Sequence, residues 1–468
     1  MSLLDENRLF PAESSVRNLA SRLYSQVKDL PIISPHGHTD PRWYAENKPF
    51  PDPAQLFVTP DHYVFRMLHS QGIALEALGV PRVDGGSVEN DPRKIWRLFA
   101  QNYHLFRGTP SRLWVDQALS DVFDVTQRLA ADTADVIYDQ IADRLAQDSY
   151  RPRALFERFN IEVISTTESA LDNLSWHKMI RESGWKGKVV TTYRPDAVVD
   201  PEINNFATNI EKLGELTSED ATTWSGYLTA HRKRRAYFKQ FGATASDHGH
   251  PTAITQDLPQ DVAAALFDKA MQGKCSAKEA DDFRGQMLTE MARMSLDDGL
   301  VLQIHPGSLR NHSAATQHRF GSDKGFDIPT TTNYVQALQP LLNAVGDRSD
   351  LTIIMFTLDE TAYARELAPL AGVYPALKLG PAWWFYDSYE GMMRFRQMTT
   401  ETAGFYNTVG FNDDTRAFCS IPARHDVARR VDSTYLATLV STGRLDEDEA
   451  FELGHDLSYQ LAKKAYRF

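Results

Sequence analysis

The chain has 468 residues, of which 42% are apolar and 24% are charged, as is usual for globular proteins. Its 50 basic and 62 acidic side chains give a net charge of −12, which argues against sequence-independent binding of nucleic acid. Two cysteines exclude a disulfide framework, and no apolar run reaches the ~18 residues of a membrane span. Without a signal-peptide pattern at the N-terminus, these features predict a cytoplasmic protein that binds neither membranes nor nucleic acid.

Short apolar segments alternate with helical patterns along the chain, and each segment ends in polar residues. The segments lie at 30–33, 161–164, 188–190, 242–245, 300–304, 351–356, 376–379 and 409–411. Between them, apolar residues at helical spacing predict helices, for example over 170–182 and 334–345. Strands that alternate with helices favour a parallel sheet, and eight such units favour a closed (β/α)8 barrel, a TIM-like α/β fold.

We expect residues 1–468 to form a single barrel domain with helical additions. About 120 residues separate the first two strands, more than a crossover helix needs, so 41–155 is predicted to be a mainly helical insertion. A second helical insertion is expected over 195–240, and helices are expected over the C-terminal residues 426–468. The basic run at 231–235 is interpreted as the solvated face of a helix.

Two histidines, His36 and His38, follow the first predicted strand. Alternate residues of an extended chain point to the same side, so both imidazoles could face one metal ion. Chance alone gives about 0.4 such pairs in a chain with this histidine content, and a second pair, His248 and His250, is present. A structural role is therefore equally open for the first pair. The preceding strand, His305 after the fifth strand and an aspartate after the last strand favour a metal.

Asp414, after the last predicted strand, is the strongest candidate for catalysis. A carboxylate at the mouth of a barrel can ligate a metal and also accept a proton. The plain alternative is a loop residue that caps the next helix, and Asp413 is the alternative carboxylate. In an extended chain Arg416 would share the side of Asp414, where it could stabilise an anionic intermediate or form a structural ion pair.

Other strand ends and loops carry candidate binding or proton-transfer residues. Arg194 closes the third strand before a proline, where an anion site and a structural salt bridge are equally open. Tyr63 has a hydroxyl that could transfer a proton, although a lone tyrosine is usually part of a core. Trp383 and Trp384 could form the wall of a sugar pocket, or pack into the core and against a helix.

Together these motifs resemble the amidohydrolase superfamily and, within it, the uronate isomerase (glucuronate isomerase) family. The resemblance runs from residue 35 to residue 418 and is carried by Pro35-His36-Gly37-His38, Asp61-His62-Tyr63, Thr191-Thr192-Tyr193-Arg194-Pro195-Asp196, Ile304-His305-Pro306-Gly307-Ser308-Leu309-Arg310-Asn311, Gly380-Pro381-Ala382-Trp383-Trp384-Phe385 and Asp414-Thr415-Arg416-Ala417-Phe418. The chain departs from the family at Gly37, where cysteine is common, and at Pro306, where some relatives have a less rigid residue. The sixth strand carries no histidine, unlike that of the binuclear hydrolases, which implies one metal ion.

The resemblance implies a barrel of the metal-dependent hydrolase type that converts D-glucuronate to D-fructuronate, and D-galacturonate to D-tagaturonate, reversibly. It implies one divalent metal ion, zinc, held by His36, His38 and Asp414. Asp414 would move the carbon-bound proton, Tyr63 the oxygen-bound proton, and Arg416 would offset the charge of the enediolate. Manganese and iron also accept such ligands.

The substrate, a small sugar acid, would contact Arg194, Trp383 and Trp384, while His305 would be either a fourth metal ligand or a substrate contact. Two other functions stay open. A metal-dependent hydrolase of an amide or ester is disfavoured by the missing sixth-strand histidine and the arginines at strand ends. A non-catalytic sugar-acid binding protein would need neither the metal ligands nor the base. The insertions and C-terminal helices also offer surfaces for a homo-oligomer.

Overall fold

The computed structural model describes residues 3–468 and contains a parallel β-sheet surrounded by helices. Seven strands lie side by side in chain order, and every pair of neighbours is parallel. Their bounds are β1 Ile32–Ser34, β2 Ile161–Ser169, β3 Lys188–Arg194, β4 Ala245–His248, β5 Val301–Ile304, β6 Ile353–Met355 and β7 Leu377–Leu379. A separate antiparallel hairpin pairs Ser308–Leu309 with Ile328–Pro329.

The last position of the barrel is filled by an irregular segment, 408–415. One parallel bridge joins Leu379 of β7 to Thr408. On the other side, the amide of His38 donates a hydrogen bond of 3.1 Å to the carbonyl of Thr415. The predicted eighth strand over 409–411 is therefore reduced to a bridge, because Gly410 has a φ of 75° that interrupts the extended backbone.

Helices fill the long connections and cover the sheet. The connection from β1 to β2 contains Pro41–Glu46, Pro53–Phe57, His62–His69, Pro92–Gln101, Pro110–Gln117, Ala134–Leu145 and Pro152–Arg158. The remaining helices are Ser14–Val27, Ser175–Glu182, Asp196–Val199, Phe206–Thr217, Trp224–Gln240, Gln260–Met271, Ala277–Asp298, Ala314–Phe320, Tyr334–Val345, Ala368–Ala371, Tyr389–Ala403, Ile421–Ser441, Glu447–His455 and Leu461–Ala465. Among the described helices, none has the length and apolar character to cross a membrane.

Local sequence explains where several helices of the first connection begin. Asp52, Asp91 and Thr109 each accept a hydrogen bond from a backbone amide of the helix that follows. In all three cases the next residue is proline, whose fixed φ suits the first helical position and whose missing N–H costs nothing there. The helix His62–His69 of the same connection carries Tyr63, which lines the cavity at the mouth of the barrel.

The basic run at 231–235 is only partly solvated, so the prediction of a solvated face is wrong for most of it. Arg235 is 0% exposed and donates to the Asp298 carboxylate at 2.6 Å. Arg234 is 4% exposed and donates to the carbonyl of Ala170 at 2.9 Å. Buried arginines are tolerated where acceptors match their donors, and here neighbouring elements supply those acceptors.

Two buried histidines distant from the mouth of the barrel make the stability of the fold depend on pH. The Nδ1 atom of His231 lies 2.7 Å from the hydroxyl of Tyr193, and the Nε2 atom of His177 lies 2.9 Å from the hydroxyl of Thr166. Burial lowers the pKa of His231 to about 3 and the pKa of His177 to about 4. An unfolded chain would protonate both near pH ~6.5, so below that pH the unfolded state binds more protons than the folded state.

We therefore expect the free energy of unfolding to fall as the pH drops from ~6.5 toward 4, by about 1.4 kcal/mol per pH unit for each histidine that stays neutral. Urea unfolding at a series of pH values measures this slope. His231→Gln should make the slope shallower, whereas substitution of the exposed His318 by Gln should leave it as it is. An unchanged slope in His231→Gln would contradict the assignment.

Candidate active site at the mouth of the barrel

A cavity of about 500 Å³ opens where the parallel strands end. Because the strands run in one direction, the residues that follow them meet at this face. The side chains predicted from the sequence all line this cavity: His36, His38, Tyr63, Arg194, His305, Trp383, Trp384, Asp414 and Arg416.

Three of these side chains converge on one point. The Oδ1 atom of Asp414 lies 3.2 Å from Nε2 of His38 and 3.5 Å from Nε2 of His36. This oxygen is buried and forms no well-aligned hydrogen bond with any residue in 3–468. Two imidazoles and a carboxylate that approach without hydrogen bonding to one another fit a divalent metal ion that binds nitrogen and oxygen.

The backbone turns sharply to present Asp414. Its φ of 37° is positive, a conformation that few residues other than glycine, asparagine and aspartate adopt. Its second carboxylate oxygen accepts a short hydrogen bond from the indole N–H of Trp383. Arg416 lines the same cavity as Asp414 and forms an ion pair with Asp323.

The same contacts determine the ionisation of Asp414. Burial opposes the charged form, but the close contact with His38, the charges of the two imidazoles and the Trp383 indole outweigh burial. Together they hold the pKa of Asp414 well below its usual value. The carboxylate is therefore ionised at neutral pH, as both a metal ligand and a general base require.

Asp413, the alternative carboxylate, contacts two residues of the helix Ile421–Ser441. Its Oδ2 atom lies 3.0 Å from Nε2 of His425, and its backbone carbonyl accepts a hydrogen bond from Arg424 at 3.3 Å. Asp413 is buried in these contacts at the base of the helix Ile421–Ser441. The two adjacent aspartates thus divide into one that stabilises the fold and one, Asp414, that faces the cavity.

Tyr63 belongs to a buried chain of polar groups that the sequence did not predict. Its hydroxyl lies 3.1 Å from Oδ1 of Asp387, and Arg424 donates to Oδ2 of the same carboxylate at 2.7 Å. The Arg424 guanidinium also lies over the Trp114 ring, 3.6 Å from its centroid. Burial, followed by the Asp387 charge, raises the pKa of Tyr63 well above its usual value. The hydroxyl therefore keeps its proton and has a carboxylate partner with which to exchange it.

Asp387 and Arg424 could not be selected from the sequence, because the contacts that bring them to the site are distant in the chain. Asp387 lies 324 residues from Tyr63, and Arg424 lies 37 residues from Asp387. The available signal was weak. Asp387 comes three residues after the tryptophan pair, and Arg424 lies in the first turn of a helix that follows Asp414.

Arg194 and His305 share one buried carboxylate at the end of β4. Nη1 of Arg194 lies 3.4 Å from Oδ2 of Asp247, and Nε2 of His305 lies 2.9 Å from Oδ1. Arg194 also pairs with Asp196 at 2.8 Å. Burial lowers the pKa of Arg194, but Asp196 and Asp247 outweigh burial and raise it overall. Since Nε2 of His305 is engaged with Asp247, Nδ1, which has no hydrogen-bond partner in residues 3–468, is the nitrogen of this ring left for a metal or a substrate.

Trp383 and Trp384 differ in what they contact. Trp383 donates to Asp414, and its ring packs against His305 with 5.1 Å between centroids. The Trp384 ring packs edge-on against His62 at 5.6 Å. Trp383 therefore holds the Asp414 carboxylate in place, a contact that the expectation of a sugar-stacking wall did not include.

A second hydrogen-bonded chain reaches the first histidine from below the cavity. The side-chain amide of Gln303, on β5, lies 3.4 Å from Nδ1 of His36. The hydroxyl of Tyr466, two residues before the C-terminus, donates to Gln303 at 2.9 Å. This contact holds the ring so that Nε2 faces Asp414.

We expect Tyr466→Phe to weaken the binding of a divalent metal about 10-fold or more, because the freed Gln303 amide no longer orients the imidazole. Competition with a chromogenic chelator measures this affinity. Tyr459→Phe is the matched control, since the Tyr459 hydroxyl donates to Glu162 outside the cavity. Equal metal affinities in the two variants would refute the orienting role of Tyr466.

The fold and the cavity together define a barrel enzyme, with candidate metal ligands after the first strand and in the closing segment. A solved structure from Lactobacillus casei shares this fold at 14% identity and a TM-score of 0.52. The glucuronate isomerase family model matches residues 6–466. The chain belongs to the glucuronate isomerase family, and the family, fold and enzyme class predicted from the motifs are confirmed.

Individual relatives match the whole chain. A uronate isomerase from Rhizobium meliloti is 69% identical over 99% of both chains, and one from Mesorhizobium japonicum is 66% identical over 100% of both. The crystal structure of glucuronate isomerase from Caulobacter crescentus is 58% identical, covers 100% of this chain and 98% of its own, and superposes with a TM-score of 0.98.

Proposed function

We propose that this chain interconverts D-glucuronate with D-fructuronate, and D-galacturonate with D-tagaturonate. The observation that carries the proposal is the convergence of Asp414, His36 and His38 at one cavity, in a chain of the glucuronate isomerase family. The metal-dependent hydrolase that the sequence left open as an alternative is not favoured by any relative with substantial identity to this chain.

Moving a carbonyl from C1 to C2 of the open-chain sugar acid defines what the site must do. A proton leaves C2, a proton returns to C1, and a third moves between the two oxygens. The intermediate is an enediolate, so its negative charge must be stabilised as it forms. We assign the carbon-bound proton to Asp414, the oxygen-bound proton to Tyr63 and the charge stabilisation to Arg416.

The metal is proposed to be a single zinc ion held by His36, His38 and Asp414. This ligand set of two imidazoles and one carboxylate is typical of catalytic zinc. When bound, the ion supplies Lewis-acid polarisation of the sugar oxygens next to the carbon that loses its proton.

Asp414 has a low pKa and is therefore a weak base, so the proton that it takes must be made acidic by its surroundings. Arg416 supplies positive charge at the cavity wall, two residues further along the chain. In the described structure its partner is Asp323, whose side chain is half-exposed. The anionic substrate would exchange with Asp323 at this guanidinium, which then faces the enediolate.

Tyr63 and Asp387 form the path proposed for the oxygen-bound proton. The tyrosine hydroxyl can donate to one sugar oxygen, and the adjacent Asp387 carboxylate can accept or return a proton over 3.1 Å. Burial raises the pKa of Asp387, which brings it closer to the range in which a carboxyl group exchanges protons near neutral pH.

Arg194, His305, Trp383 and Trp384 are proposed to position the sugar. Arg194 is already neutralised by two carboxylates, which suits hydrogen bonds to sugar hydroxyls better than attraction of the substrate carboxylate. Its guanidinium is fixed by those contacts, so little conformational freedom is lost when substrate binds.

Turnover in heavy water tests the proton-transfer mechanism. Because Asp414 lines an open cavity, its acquired proton should exchange with solvent before it returns to carbon. We expect deuterium on carbon in the product at low conversion, detected by proton NMR or mass spectrometry. A product without solvent label at early times would indicate a hydride shift and contradict the mechanism.

Substitution of the two adjacent aspartates separates catalysis from folding. Asp414→Asn should keep the fold and lower kcat by about 10²- to 10⁴-fold, the usual contribution of a general base. Asp413→Asn should lower the melting temperature, since His425 loses its charged partner, while kcat changes much less. Steady-state assays on both uronates, with circular dichroism, measure these effects. Near-normal turnover by Asp414→Asn would exclude it as the base.

A further inference from the structure

The second histidine pair of the sequence, His248 and His250, has no part in the proposed reaction. Both lie at the end of β4, and Asp196, which follows β3, lies beside them. Each of the three offers a ligand atom, and these atoms all lie within 4.8 Å of one another. The arrangement is a second cluster of two imidazoles and one carboxylate.

The geometry of this pair closely matches that of the first. The ring centroids of His248 and His250 are 5.8 Å apart, and the ring planes make an angle of 85°. For His36 and His38 the corresponding values are 5.3 Å and 85°. The same spacing in the sequence has therefore produced the same mutual orientation of imidazoles in two places.

Three of the four ring nitrogens of the second pair lack partners in residues 3–468, and the fourth, Nε2 of His248, lies 3.3 Å from the hydroxyl of Ser246. His248 is 1% exposed and His250 is 3% exposed. Neither ring nitrogen of His250, nor Nδ1 of His248, has a hydrogen-bond partner anywhere in residues 3–468. Buried polar atoms without partners are rare in folded proteins and call for an explanation. His250 lines the cavity, so an ion could reach it from there.

The surroundings favour a cation. The charged groups that act on His250 include two carboxylates, those of Asp196 and Asp200, and one guanidinium, that of Arg284. The ion pairs are Arg194 with Asp196 and Asp247, and Arg284 with Asp200, Glu202 and Asp281.

We propose that Asp196, His248 and His250 bind a second transition-metal ion, distinct from the ion at His36, His38 and Asp414. Two imidazole nitrogens and a carboxylate oxygen suit Zn²⁺ or Co²⁺ better than Mg²⁺ or Ca²⁺. The ion would also hold Asp196 in place, and through its 2.8 Å contact would hold Arg194 at the cavity wall. The site does not depend on the proposed reaction.

Counting bound metal tests the proposal. The full-length protein is stripped with a chelator, titrated with Co²⁺ and analysed by elemental analysis after desalting, with the visible spectrum recorded throughout. We expect two ions per chain in the wild type. The double variant His36→Gln/His38→Gln should keep one ion, the double variant His248→Gln/His250→Gln should keep the other, and the combination of all four substitutions should bind none.

A wild type that binds one ion, lost entirely in His36→Gln/His38→Gln, would overturn the proposal. If His248→Gln/His250→Gln does not fold, the wild type and His36→Gln/His38→Gln still test the proposal. An ion that stays bound to His36→Gln/His38→Gln cannot be held by the first pair of histidines. A protein that binds two ions but lacks isomerase activity would refute the proposed function and leave the second site standing.

Discussion

The closure of the barrel by segment 408–415 is the constraint on which the site depends. The amide of His38 donates to the carbonyl of Thr415, and this bond fixes the residues after the first strand against those before the C-terminal helices. The intervening turn at Asp414, with its positive φ, then places a carboxylate oxygen between Nε2 of His36 and Nε2 of His38. An extended eighth strand would not require this turn. The irregular backbone is therefore part of how the metal ligands are assembled.

Charge pairing at the cavity distinguishes Asp414 from its neighbours. Asp387 is paired with Arg424, and Asp323 with Arg416, so each of these carboxylates has a guanidinium partner. Asp414 instead faces two imidazoles and one indole N–H. A buried carboxylate without a permanent cationic partner is costly, and a divalent ion removes that cost. The arrangement of arginines thus leaves Asp414 available to the proposed metal ion and leaves Arg416 to be exchanged between Asp323 and an anion.

The sequence predicted the strand ends and the residues on them because both signals are local: an apolar run sets the strand, and the parallel order brings the ends together. It did not predict the bend at Gly410, since one glycine with positive φ looks the same in a strand or a loop. Arg234 and Arg235 were misread because helix periodicity cannot show which distant carbonyls and carboxylates will meet them. Asp387 and Arg424 depended likewise on contacts that only the folded chain supplies.

Anomalous diffraction from a crystal of the zinc-loaded protein, recorded on both sides of the zinc absorption edge, tests the central claim most directly. The account predicts an anomalous peak within about 2.0–2.2 Å of Nε2 of His36, Nε2 of His38 and one carboxylate oxygen of Asp414. Absence of a peak at that point, or a peak bound by the two histidines with Asp414 turned away from it, would contradict the claim that closure of the barrel builds the metal site.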